Sequence, residues 1–88
     1  MGKVFIGEEA ELMMNLSYNI RYTILDKNTS VGKVADQVGI SRNTLRNYIR
    51  CETLPDMDVV KKIAEVLECD VGDLTKPYDH RMPGQREE

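Results

Sequence analysis

The chain has 88 residues, 41% of them apolar and 31% charged, with a formal net charge of −3; this allows one small domain with a single modest core and no membrane span, since no apolar run approaches the roughly 20 residues that a bilayer requires. One histidine, His80 in a polar tail, and two separated cysteines, Cys51 and Cys69, cannot supply a CxxC or Cys/His metal cluster, nor the nucleophile, base and orienter of an enzyme. No charged leader followed by an apolar segment and a small-residue cleavage site opens the sequence, so a cytoplasmic protein with two reduced thiols, no metal and no cofactor is expected.

Residues 1–7 read as a short N-terminal arm in which Lys3-Val4-Phe5-Ile6 has β-type residues but is too short to stand alone, and a frayed arm, an added edge strand and a contact with a second subunit all suit it. A helix is predicted from Glu8, because Glu8, Glu9 and Glu11 favour the positive end of the macrodipole. Leu12, Leu16, Ile20 and Ile24 then recur every four residues, with Met13 beside them, drawing one apolar stripe. Asn28 and Thr29 end that pattern.

Residues 31–50 organise the rest of the chain. Ser30 is suited to cap a second helix, and Val34, Ala35 and Val38 give it an inward face with one small member that allows a close helix crossing. Gly39 stands where the chain must turn with positive φ, Ile40 plugs the corner, and Ser41 caps a third helix over 42–50. Two short helices joined by a three-residue corner read as a helix-turn-helix. Beyond it, residues 51–54 form a loop, Pro55 and Asp56 start a fourth helix, and Met57, Val60, Ile63, Ala64 and Leu67 supply its inner stripe, with Lys61 and Lys62 outside. Asp70 caps a last turn in which Val71 and Leu74 face inward. The stretch 76–88, rich in Pro, Gly and charge, is expected to be a disordered tail.

Charge is distributed unevenly along the chain. Between residues 19 and 51 there are six basic residues against two acidic ones, a local balance of +4, whereas residues 1–18 sum to −2 and residues 52–88 to −5. Such an arrangement suits a surface that neutralises phosphates on a body otherwise repelled by them. In the third helix Leu45, Tyr48 and Ile49 fall on one side, while Arg42, Asn43, Arg46, Asn47 and Arg50 fall on the other. Solvated surfaces normally mix both signs of charge. This face instead carries the groups that read a major groove, since Arg pairs bidentately with guanine and Asn with adenine. Arg42, Asn43, Arg46 and Asn47 are the expected base contacts, with Arg46 also suited to clamp a phosphate. Arg50 and the caps Ser30 and Ser41, together with Lys33 and Thr44, are expected at phosphates.

From about residue 19 to residue 76 the sequence resembles the Cro/C1-type (XRE, lambda-repressor-like) helix-turn-helix family. The matching residues are Ser30, Val34-Ala35, Val38-Gly39-Ile40-Ser41, Thr44-Leu45, Pro55, Lys61-Lys62-Ile63-Ala64-Glu65-Val66-Leu67 and Asp73-Leu74. The resemblance implies an all-α, compact five-helix domain over 8–75, and a homodimer that binds a pseudo-palindromic double-stranded DNA operator as a small prokaryotic or phage regulator, most often a repressor. Its recognition-helix positions carry over onto Arg42, Asn43, Arg46 and Asn47. Three departures bear on mechanism. Val31 stands where a glutamine commonly opens the second helix. Cys51 stands where many members have glycine, followed by a loop, Glu52-Thr53-Leu54, without the usual basic residues. Ile24 and Ile49 occupy positions where some members pair an Arg with a Glu, a double change that strands no charge. Val31 and the acidic loop suit an alternative function, a protein-interaction module of antirepressor or antitoxin type; the three arginines count against it.

Overall fold

Leu16, Ile20 and Ile24, one helical turn apart, lie buried along α1 (Gly7–Asp26) and form one wall of the core. In the computed structural model, which describes residues 7–78, α2 (Val31–Val38), α3 (Arg42–Ile49), α4 (Met57–Leu67) and α5 (Val71–Thr75) follow, and no strand occurs among the described residues. α1 packs against α3 and α5, while α4 closes the other side against α2 and α5. Val34, Ala35 and Val38 of α2, Leu45 of α3, Val60, Ile63, Ala64 and Leu67 of α4 and Leu74 of α5 complete a single cluster. Ala35 is wholly buried, as a close crossing of α2 requires. Ile24 is buried and Ile49 half-buried against the same core, so both positions are occupied by apolar groups without a buried charge.

The starts of α2, α3 and α5 follow the sequence closely, whereas Asp56 stands before α4 without a side-chain cap bond. The Ser30 hydroxyl accepts from the Lys33 N–H at 3.2 Å, and the Ser41 hydroxyl accepts from the Thr44 N–H at 3.0 Å. Asp70 stands at the start of α5, and the Asp73 carboxylate accepts from its N–H at 3.0 Å, the return half of a capping box. Met57 departs from expectation: instead of joining the inner stripe of α4 it is 47% exposed. It is the first residue of the helix, and helical side chains lean towards the N-terminus, which carries Met57 past the end of the core that begins at Val60.

The helix ends share one device. α1, α2, α3 and α4 are each followed by a residue with left-handed backbone, respectively Asn28 (φ 60), Gly39 (φ 92), Cys51 (φ 62) and Glu68 (φ 59). In each case the next N–H reaches back five residues, from Thr29 to Ile24, Ile40 to Ala35, Glu52 to Asn47 and Cys69 to Ala64, at 2.9–3.1 Å. These bonds satisfy carbonyls that the last turn would otherwise leave open. Only one of the four is glycine.

The tail expected from residue 76 is held over its first three residues. The Lys76 carbonyl accepts from Asn19, the Tyr78 N–H donates to the Asn15 carbonyl oxygen at 3.3 Å, and the Tyr78 ring lies 4.9 Å from that of Tyr18. Residues 79–88, and residues 1–6 of the arm, lie outside the described residues.

Candidate nucleic-acid interface

The site is built by the corner between α2 and α3. Gly39, with its left-handed φ, lets the chain reverse within three residues, and wholly buried Leu45 pins the inner side of α3. The far end of α3 is tied down by α1: the Ser17 hydroxyl donates to the Ile49 carbonyl, and the Cys51 thiol lies 3.7 Å from the Met13 carbonyl. With its inner side and its end fixed, α3 turns the opposite side outward.

On that outer side Arg42, Asn43, Arg46 and Arg50 are exposed and Asn47 is half-buried. All five come from one stretch of nine residues that contains no carboxylate. Arg50 lies just past the end of α3, where its N–H still bonds the Arg46 carbonyl at 2.9 Å. Ser30, Lys33 and Ser41 are exposed and Thr44 is half-buried, near the first turns of α2 and α3. A hydrogen bond of 2.7 Å joins the Ser41 and Thr44 hydroxyls. The Ser30 and Ser41 hydroxyls therefore already serve as helix caps, and their remaining capacity, together with the backbone N–H groups of the helix starts, is what an anion would meet.

Arg42 has a partner of its own. Its terminal nitrogen Nη2 lies 3.2 Å from the Asp36 carboxylate on α2, with both side chains more than half exposed, at 59% and 63%. An ion pair so open to water contributes little to stability, about 0–1 kcal/mol, but it draws the guanidinium towards α2. Tyr48 lies at the back of α3, where burial first, and the Asp56 carboxylate second, push its phenol above the ordinary value; it stays protonated and able to donate.

The sequence placed every expected base and phosphate residue on α2, α3 or their flanks, and the structure brings them onto adjoining elements. It adds residues that the sequence reading passed over. Asp36 counted only as a charge in the local balance. Ser17, Asn15 and Asn19 were not singled out, although Asn15 and Asn19 recur at an interval of four beside the apolar stripe, which is the trace that a second buried row would leave. Among the described residues no group of three or more His, Cys, Asp or Glu is arranged to hold a metal ion, and no helix is long and apolar enough to cross a membrane.

Residues 19–79 match the family model described as a Cro/C1-type HTH DNA-binding domain. No curated protein sequence gives a significant match to the chain. Among solved structures the fold is similar to that of the hypothetical transcription factor NHTF from Neisseria, with a TM-score of 0.73, 23% identity, and 88% of each chain covered. It is also similar to the restriction-modification controller protein C.AhdI from Aeromonas hydrophila, with a TM-score of 0.68, 18% identity, and coverage of 70% of this chain and 94% of that one. The P22 c2 repressor in complex with a synthetic operator aligns with a TM-score of 0.65 and 21% identity, over 69% of this chain and 92% of that one. At these identities the likeness to each solved structure is one of fold.

Proposed function

The chain belongs to the Cro/C1-type helix-turn-helix DNA-binding family, and on that premise we propose that it is a sequence-specific binder of duplex DNA, a small cytoplasmic transcription regulator acting as a repressor and performing no chemistry. The observation that carries this reading is the outer side of α3, with three guanidinium groups, two amides and no carboxylate. A helix fits the major groove, and these are the side chains that pair with purine edges there. Arg42, Asn43, Arg46 and Asn47 read bases; Ser30, Lys33, Ser41, Thr44 and Arg50 hold phosphates. The operator bound to the P22 c2 repressor supports the same use of the fold.

One module reads too few base pairs for useful discrimination, so the functional form is a homodimer on a pseudo-palindrome, with half-sites about 34 Å apart, one helical turn. Selection from a random duplex pool, followed by titration at several salt concentrations, tests the reading. The expected result is a two-fold symmetric motif and an affinity that falls with log salt at a slope of about −2 per protomer, from the cations Lys33 and Arg50. Absence of binding at low salt would overturn it in favour of a protein-interaction module.

A further inference from the structure

The geometry points to a seat on α2, made by Asp36 and Gly32, that orients Arg42 for the base it reads, so that Asp36 is a positioning residue for specificity although its charge is repelled by phosphates. The inference rests on the assignment of Arg42 as a base contact. Two observations meet at this arginine. Its Nη2 lies 3.2 Å from the Asp36 carboxylate. Its Cζ and Nε lie across α2 at Gly32, each 3.0 Å from where a Cβ on that residue would stand. The guanidinium is thus paired at one nitrogen and rests against the one position of α2 that has no side chain to displace it.

Asp36 is the only carboxylate in residues 31–50, and on electrostatic grounds alone it weakens attraction to phosphates. Its presence is explained by what it does to Arg42. An arginine reads guanine through a planar fork of two N–H groups, and a free fork must be ordered before both bonds form. A fork already biased towards one direction gives up less freedom on binding the matching base, and swings less readily to a neighbouring phosphate, where it would bind every sequence equally well. The seat therefore exchanges non-specific affinity for discrimination at one base pair.

The test uses the full chain in four forms: Asp36→Asn, Gly32→Ala, Arg42→Ala and the double variant of Asp36→Asn with Arg42→Ala. Each is titrated against every single substitution of the selected site and against random duplex, and its melting temperature is recorded. Arg42→Ala is expected to flatten the preference at one position. Asp36→Asn flattens that same position by about twofold to fivefold, the most that an ion pair so open to water can supply, and binds random duplex more tightly; added to Arg42→Ala it changes the preference no further. Gly32→Ala puts a Cβ against the movable end of Arg42 in a helix that favours alanine. It melts no lower than the natural protein yet loses preference at the same position, which a purely structural role would not produce. If Arg42→Ala flattens a position that Asp36→Asn leaves intact, the seat is refuted and the DNA reading stands. If Arg42→Ala weakens all sequences alike, Arg42 is a phosphate contact, and the seat falls together with that base assignment.

Discussion

The two helices that meet at Ser17 and Ile49 are built to opposite rules. α3 has eight residues and buries one, Leu45; α1 has twenty and buries seven, three of them polar. Asn15 and Asn19 of α1 bond the carbonyls that close α5, and Ser17 bonds the one that closes α3. α1 is thus a wall and a set of clamps, and it leaves α3 free to present a face that contributes almost nothing to the fold. The contrast teaches where stability and recognition reside: substitutions behind α3 should move melting, and those in front of it should move binding.

The strongest way to break that division is at the single buried residue of α3. Leu45→Ala removes a wholly buried side chain at the centre of the cluster, and should cost about 2–5 kcal/mol in urea denaturation. A loss below 1 kcal/mol would mean that α3 is held chiefly by its corner and its end. Asn19→Ala comes next. Its amide donates to the Leu74 and Lys76 carbonyls at 2.9 and 2.8 Å, and removing it leaves two acceptors at the end of α5 without that donor, at a cost of about 1–3 kcal/mol. DNA affinity measured well below the melting temperature should be unchanged, because nothing in front of α3 has been altered.

In front, Asn43→Ala and Asn47→Ala sharpen the comparison from the other side. Asn43 is exposed and Asn47 half-buried, so stability should stay within about 0.5 kcal/mol. Each should lose about 1–3 kcal/mol of discrimination at one base pair, seen in competition against singly substituted duplexes. Uniform weakening on all sequences would mark the residue as a phosphate contact instead.

What was legible in the sequence depended on whether a residue type has one physical use. Ser30, Gly39 and Ser41 are punctuation, and each was found doing what its chemistry favours. The apolar stripes of α1 and α2 were legible because burial imposes a period. Asn15, Ser17 and Asn19 were not, because a polar residue in a long helix is ordinarily solvated, and only the fold brings the ends of α3 and α5 against them. The pairing of Asp36 with Arg42 crosses from one helix to the next, so no spacing within either helix announces it. Lys76 and Tyr78 read as tail by composition, while their backbone groups serve as partners for the same two asparagines.

The helix ends offer the smallest effect and the finest test. Cys51 and Glu68 both adopt the left-handed backbone that Gly39 adopts without a Cβ. A side chain there costs about 1–2 kcal/mol, of which glycine would return part, since its own unfolded chain is freer by about 0.5–1 kcal/mol. Glu68 is exposed and lies at the end of α4, away from the recognition face. Glu68→Gly should therefore stabilise by about 0.5–1 kcal/mol and leave DNA binding untouched. Cys51→Gly should gain less, because it also gives up the thiol contact to Met13 that helps fix the end of α3. If the two gains prove equal, the thiol adds nothing and the Ser17 hydroxyl alone secures that end; if Cys51→Gly gains less and also loosens discrimination, the anchoring of α3 reaches forward to its outer face, and the separation between the wall and the recognition surface is incomplete at that one point.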